Sequence, residues 1–181
     1  MVNYNEAIII EQLRNKATQR EAFSQIVNHY TKQLYQQVRH LVLDHDQTND
    51  ILQNTFIKAW LNIDYFRGDA KLSTWLYKIA LNESLTFLKK ENRTTSLDEG
   101  DGQYLTQLKS DSYFSGDQAQ IQLQKAIHQL PSKQRIVFNL KYYQEMKYEA
   151  MSEITGTTVG ALKASYHHAV LKIKKHLESL N

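Results

Sequence analysis

Two stretches of the 181-residue chain combine basic side chains with residues able to contact flat or polar groups. The first, residues 66–93, contains six Lys or Arg but only three Asp or Glu. At 100° per residue, a helix here would place a narrow basic seam between two apolar faces. The seam and the loop before it contain Arg67, Lys71, Trp75, Lys78, Asn82 and Lys89. Cations beside an aromatic ring and an amide are typical of surfaces that bind polyanions.

A second basic stretch, residues 148–177, has the pattern of a helix, a turn and another helix. Gly156 stands where the first helix must end in a left-handed conformation, and Thr157 or Thr158 can cap the next helix. A recognition helix of this kind reads bases with its first residues, while lysines further along neutralise phosphates. The side chains predicted to do this are Thr158, Lys163, Ser165, His167, His168 and Lys172. A helical hairpin with a solvated basic face is the competing interpretation.

A third pattern, residues 50–63, predicts a helix with two different sides. The predicted core side consists of Ile51, Leu52, Thr55, Phe56, Ala59, Trp60 and Ile63. The opposite side mixes polar and apolar residues, as protein docking surfaces do, and contains Asp50, Gln53, Asn54, Ile57 and Leu61. A further helix of the same bundle covering this side is the alternative. The acidic residues just before it lack the Gly and Glu that a calcium loop requires, so they predict a helix connection with an N-cap.

These stretches belong to a chain whose composition predicts an all-α fold. It has one Pro, six Gly and no long β-branched run. Amphipathic helices are predicted for residues 21–43, for a segment capped by Ser73 or Thr74 that reaches about Lys90, and for further short segments after Gln118. Residues 94–118 have no sustained period and many turn-forming residues. We therefore expect two small helical domains, residues 1–93 and 119–181, joined by a flexible acidic linker at 94–118.

Charge and composition narrow the class of function. The net charge of +3 hides an acidic linker between two basic segments, which is the plan of a polyanion binder, although a solvated basic surface explains it equally well. The absence of cysteine excludes disulfides, thiolate zinc sites and cysteine nucleophiles, and fits a reducing cytoplasm. No apolar stretch is long enough to enter a membrane. The adjacent His167 and His168 lack a third ligand at metal-binding spacing, and no catalytic constellation is recognisable. We expect a soluble protein that needs no cofactor and is not an enzyme.

Four motifs together resemble a bacterial RNA polymerase sigma factor of the extracytoplasmic function (ECF) type. In chain order they are "DILQNTFIKAWLNID", "FRGDAKLSTWLYKIALN", "LPSKQRIVFNLKYY" and "YEAMSEITGTTVGALKASYHHA". The resemblance spans most of the chain. It implies two helical domains, no catalytic activity, and three kinds of partner: core RNA polymerase, promoter DNA and an anti-sigma protein.

The resemblance also implies a role for each stretch. The mixed side of residues 50–63 would dock on the clamp of the largest polymerase subunit. Residues 66–93 would recognise and melt the minus-ten element, with basic groups holding phosphates and an aromatic surface supporting unstacked bases. The last helix would read the minus-thirty-five element. The chain departs from the family at Asn54, where an acid is common, and at Ser165 and His168, where arginines are common. Loss of those arginines weakens bidentate guanine readout. An autonomous helix-turn-helix regulator is the alternative function.

Overall fold

A computed structural model describes residues 4–94 and 118–179, and within these ranges every regular element is helical. This confirms the all-α prediction. The first group of helices comprises α1 (Glu6–Arg14), α2 (Gln19–Val42), α3 (His45–Leu61), a 3₁₀ turn (Ile63–Tyr65) and α4 (Leu72–Thr94). The second group comprises α5 (Gln118–His128), α6 (Ser132–Tyr142), α7 (Tyr148–Thr155) and α8 (Val159–Glu178). The predicted linker falls largely on residues 95–117, which lie outside the described residues. The sequence also allows a short helix from Tyr104 to Lys109, and that segment lies outside the described residues too.

The first group packs around the apolar stripe of α2. Ile26, Leu34 and Val38 recur on that stripe and are completely buried. The connection to α3 is a capped turn, as predicted, because the Asp44 carboxylate accepts the Gln47 N–H at 2.8 Å. This cap lets α3 begin five residues earlier than its apolar pattern indicated.

The start of α4 differs from the prediction. The helix begins at Leu72, so Ser73 and Thr74 lie inside its first turn and neither occupies the position before the helix. The first N–H groups of a helix lack intrahelical partners. The Leu72 N–H is instead accepted by the carboxylate of Glu6, at 2.9 Å from its Oε1 atom. A carboxylate from a distant part of the chain thus replaces the expected local cap.

The second group packs α8 against α5, α6 and α7. Its own buried cluster contains Ile127, Phe138, Ala169 and Ile173, with Tyr166 packed at its edge. Pro131 separates α5 from α6, as the sequence predicts, because proline is tolerated at the start of a helix but not in its interior.

The two groups of helices pack against each other. The main buried cluster includes Leu76 and Leu81 of α4 together with Met151 and Ile154 of α7, and α4 contacts α7. This contact explains why α4 has two apolar faces: one faces its own domain, and the other meets the second domain. The sequence predicted the two faces but not what covers the second.

A polar contact closes the same interface between α2 and α6. The buried Arg135 guanidinium donates to the Leu41 carbonyl in the last turn of α2, at 3.5 Å, and to the His128 carbonyl at the end of α5. Helix C-termini present unsatisfied carbonyls, which favour a cation. Beside this contact, the rings of His40 and Tyr143 are stacked with centroids 3.8 Å apart. The interface is therefore built from apolar packing and a bridging cation.

The stability of this arrangement should fall in mild acid. Burial, and secondarily Arg39, lowers the pKa of His40 to about 4; burial, and secondarily Arg135, lowers the pKa of His128 to about 4. In an unfolded chain both groups titrate near 6.5, so between these values the unfolded chain binds more protons. The free energy of unfolding should then decrease as pH falls, by about 2 kcal/mol per histidine at pH 5.

Urea unfolding at pH 7 and pH 5 measures this effect. The difference in unfolding free energy between pH 7 and pH 5 should be smaller in a variant that carries both His40→Gln and His128→Gln. An unchanged pH slope in that double variant would contradict the assignment to these two side chains.

Candidate nucleic-acid and polymerase interfaces

The predicted docking side of α3 is open to solvent. Ile57 is 49% exposed and Leu61 is 69% exposed, which is high for apolar side chains in a folded domain. Asp50, Gln53 and Asn54 are exposed on the same side of the helix. No described helix covers this side, so the alternative that it packs within the described bundle is wrong. Trp60, predicted to be core, is 38% exposed and packs edge-on against Phe23.

The basic seam of α4 is also exposed. Lys78, Asn82 and Lys89 lie at the surface of the helix, and Arg67 and Lys71 lie at the surface of the preceding loop. These five side chains leave their polar ends available to a partner. A chain of nucleic acid would meet several cations here, and each phosphate contact adds to the salt dependence of binding.

Trp75 stands beside this seam, where it is only partly buried. Its ring packs against Phe66 with centroids 5.0 Å apart and an interplanar angle of 41°. Phe66 is in the loop and Trp75 is in the first turn of α4, so the two rings join the loop to the helix. Aromatic surface adjacent to cations provides a platform on which an unstacked base can rest.

The helix-turn-helix has the local geometry that its sequence predicts. Gly156 ends α7 with φ +66° and donates its N–H to the Ser152 carbonyl at 2.9 Å. Thr158 caps α8, because its hydroxyl accepts the Ala161 N–H at 3.3 Å. Of the two predicted caps, Thr158 is therefore the one used.

The glycine at this turn permits a clean test. A Cβ added at Gly156 would meet no atom within 4 Å, so Gly156→Ala should cost only the left-handed backbone, about 1 kcal/mol of unfolding free energy. Gly160, in the first turn of α8, also has open space around it. Gly160→Ala should instead stabilise the protein by about 0.5–1 kcal/mol. Chemical unfolding measures the change in unfolding free energy in each variant. A change of the same sign in both variants would contradict the left-handed conformation assigned to Gly156.

The outer face of α8 carries most of the predicted base and phosphate contacts. Lys163, His167, His168 and Lys172 are exposed, whereas Ser165 is partly buried. Lys163 also lies over the Tyr148 ring, with its Nζ atom 5.7 Å from the ring centroid, which restricts where its charge can reach. The helical pattern predicts inward-facing side chains at Val170 of α8 and Ala150 of α7, but Val170 is 38% exposed and Ala150 is only partly buried.

The described part of the chain offers neither a metal site nor a membrane-spanning helix. Residues 4–94 and 118–179 contain no group of three or more side chains placed to hold a metal ion. The ring centroids of His167 and His168 are 6.0 Å apart and tilted. None of the described helices has the length and apolar character needed to cross a bilayer.

Comparison with known proteins agrees with this organisation. Residues 26–94 match the model of Sigma-70 region 2, and residues 120–173 match that of Sigma-70, region 4. The ECF RNA polymerase sigma factor SigW of Bacillus subtilis (strain 168) is 32% identical over 176 residues, which cover 91% of this chain and 94% of SigW. The chain is an ECF RNA polymerase sigma factor. The resemblance predicted from its motifs is confirmed.

Solved structures show that this sigma factor also shares its fold with proteins of much lower identity. CnrH, solved in complex with the cytosolic domain of CnrY, superposes with a TM-score of 0.71 at 21% identity, covering 96% of this sigma factor and 97% of CnrH. RpoE from Bartonella quintana, solved in complex with the anti-sigma factor NepR, superposes with a TM-score of 0.65 at 23% identity. The match covers 86% of this sigma factor and 96% of RpoE.

Sequence reasoning missed the first helix of this sigma factor. Asn5 caps α1, its side chain accepting the Ala7 N–H at 3.1 Å, and Ile9 and Leu13 are buried beneath it. An N-cap residue followed by apolar residues four apart is the signal that was available. The contacts of α1 with the loop before α4 required the structure.

Proposed function

We propose that this sigma factor binds core RNA polymerase, directs it to promoters with minus-ten and minus-thirty-five elements, and assists melting of the DNA. Residues 1–93 dock on the polymerase and act on the minus-ten element, and residues 119–181 recognise the minus-thirty-five element. The protein contributes binding surfaces rather than catalysis and works in the cytoplasm, where the polymerase is.

The observation that carries this proposal is the pairing of two exposed surfaces on adjacent helices. The side of α3 that bears Ile57 and Leu61 suits a protein partner, and the α4 seam with Trp75 suits single-stranded DNA. Helices α3 and α4 pack against each other, and a Lys58–Glu83 ion pair joins them at the surface, so docking through α3 fixes where α4 lies. An autonomous helix-turn-helix regulator would need neither surface.

Individual contacts can be proposed within these surfaces. The clamp of the largest polymerase subunit would be contacted by Asp50, Gln53, Asn54, Ile57 and Leu61.

Phosphates of the minus-ten region would be held by Arg67, Lys71, Lys78 and Lys89. Trp75 would support an unstacked base, and Asn82 would accept a base that has left the stack.

The C-terminal domain would contact the minus-thirty-five element through α8 and its cap. The residues that would approach this element from the major groove are Thr158, Lys163, Ser165, His167, His168 and Lys172. Because α8 has no arginine at Ser165 and His168, its guanine readout should be weaker than an arginine-bearing helix gives.

An anti-sigma protein is a further proposed partner. Support comes from RpoE, which was solved in complex with an anti-sigma factor and shares this fold. The exposed side of α3, which bears Ile57 and Leu61, is a surface that such a protein would cover.

The proposed function is tested by a pull-down of core polymerase with the full chain, followed by transcription from a duplex promoter and from the same promoter pre-melted at the minus-ten element. We expect association and start-site selection on both templates. Binding of promoter DNA without any association with polymerase would favour the autonomous regulator instead.

The docking surface yields a specific prediction. Gln53→Ala combined with Ile57→Ala should weaken polymerase binding by about tenfold or more, because buried hot-spot side chains each contribute more than about 1 kcal/mol. A titration of polymerase with labelled protein measures this. Ile8→Ala combined with Asn28→Ala removes a similar exposed pair from α1 and α2 and should have no effect. Equal weakening by both double variants would contradict the assignment of α3 as the docking helix.

A further inference from the structure

We infer that α1 positions the promoter-opening loop, residues 64–72, and that Glu6 is the principal positioning residue. The inference rests on the proposed role of residues 66–93 at the minus-ten element. Helix α1 precedes the segment that matches Sigma-70 region 2, which begins at residue 26. The first helix therefore lies outside the matched region and braces a loop that the matched region contains.

The first contact is at the end of the loop, where α4 begins. Glu6 Oε1 accepts the Leu72 N–H at 2.9 Å, and Oε2 accepts the Tyr30 hydroxyl at 3.4 Å. Tyr30 and Leu72 are buried, so both oxygens are directed toward the core of the first domain. A carboxylate at this place satisfies an otherwise unpaired N–H and interacts favourably with the positive end of the helix. Lys71, the residue before the helix, has no acceptor atom in its side chain and cannot substitute.

The second contact is at the beginning of the loop. Both Asp64 oxygens lie 2.7 Å from Lys16 Nζ, and Oδ1 also accepts the Gln19 amide at 2.8 Å. The Lys16–Asp64 pair is open to solvent, with side chains 72% and 58% exposed, and exposed pairs of this kind contribute little. The Gln19 amide is buried and also donates to the Leu13 carbonyl at 2.9 Å, so it is the firmer attachment of the loop.

The third contact is in the middle of the loop. Gly68 has φ +83°, a conformation that glycine adopts without strain. A Cβ placed there would be 3.9 Å from Cγ2 of Ile10, which shows that α1 lies directly against the turn. The loop is therefore held by α1 and the residues following it at its start, middle and end.

These attachments determine where the DNA-facing groups stand. Arg67 and Lys71 lie between the attached points, and Trp75 lies one turn after Leu72. Without the carboxylate, the first turn of α4 has an unpaired buried N–H and opens more often. The fraction of molecules in which the cations and the indole are aligned decreases accordingly, and the apparent affinity for the opened strand decreases by the same factor.

The test uses the full chain with core polymerase and measures open-complex formation on a duplex promoter and on one pre-melted at the minus-ten element. Glu6→Ala should reduce the rate on duplex DNA by about 3- to 10-fold, since an N-cap contributes about 1 kcal/mol. Pre-melting should recover most of this loss, and polymerase affinity should be unchanged. Glu11→Ala, at an exposed glutamate of the same helix, is the matched control and should behave as wild type. Glu6→Gln keeps an oxygen acceptor and should retain most of the rate.

Two further measurements separate positioning from folding. Amide hydrogen exchange should show lost protection at Leu72 in Glu6→Ala, with α3 still protected. Should the alanine variant fail to fold, Glu6→Asp, which keeps the charge but is one methylene shorter, should give the same template-dependent loss. If Glu6 variants match Glu11→Ala while Trp75→Ala is defective, the inference is overturned and the proposed function stands. If Trp75→Ala is normal as well, the proposed role of residues 66–93 in opening the minus-ten element fails.

Discussion

Trp75→Ala is expected to slow open-complex formation on duplex promoters by about 5- to 150-fold, while leaving polymerase binding nearly intact. Stacking of a base on an aromatic side chain contributes about 1–3 kcal/mol, which corresponds to this range. The partly buried ring beside Phe66 and the exposed lysines of α4 is the aromatic group best placed to supply that energy. The measurement is the rate of strand opening, followed with a fluorescent base in the minus-ten element.

The indole also packs against the core, so its loss has a structural component that needs a control. Trp75→Phe retains an aromatic face and should recover much of the rate. Trp60→Ala removes the other tryptophan, which lies on α3 and packs against Phe23 of α2. Its effect should be the same on duplex and pre-melted templates. Equal sensitivity of both tryptophan variants to pre-melting would contradict a specific role for Trp75 in opening.

Holding the two domains together is expected to abolish initiation at promoters that carry both elements. The minus-ten and minus-thirty-five elements are named for positions that lie 25 base pairs apart. At 3.4 Å per base pair this separation is roughly 85 Å of duplex. A compact chain of this length has a radius of gyration of about 16 Å, so the closed arrangement cannot reach both. The contact of α7 with α4 must therefore break before the sigma factor can span such a promoter.

The sequence contains no cysteine, so a thiol-specific cross-linker would react only with cysteines that are introduced. His40→Cys and Tyr143→Cys replace two rings that stack across the interface and can be joined by a cleavable bis-maleimide. The joined protein should lose more than about 90% of its promoter-specific initiation, and cleavage of the linker should restore it. Binding to a duplex with the minus-thirty-five element alone should persist throughout, because α8 remains exposed. Undiminished initiation by the joined protein would show that the domains need not separate.

The sequence predicted the elements whose stability is local. The stripe of α2, the Asp44 cap, the Gly156 turn and the Thr158 cap depend on residues close in the chain, and the structure contains all of them. The exposed side of α3 could be predicted because an amphipathic pattern separates the two sides of a helix.

What the sequence could not predict depends on distant residues. The cap of α4 comes from Glu6, which lies 66 residues before Leu72 in the chain. The residues near the start of α4 therefore predicted the wrong cap, Ser73 or Thr74. Trp60 was placed in the core because it is large and apolar, but the helix ends one residue later and leaves the ring at the rim. The interface between the domains depends on Arg135 meeting a carbonyl that lies 94 residues away, which no periodicity reveals.

The packing of α7 against α4 also links thermodynamically the two surfaces that we propose bind the promoter elements. The seam of α4 and the outer face of α8 are both exposed in the closed arrangement, but binding of both elements at once would select only the open molecules. The apparent affinity for a complete promoter is the intrinsic affinity reduced by the open fraction. A change at a buried interface residue such as Leu81 would therefore alter transcriptional output even though every residue that contacts DNA stayed the same. On the proposed function, part of what sets promoter strength would therefore be located in the hydrophobic core.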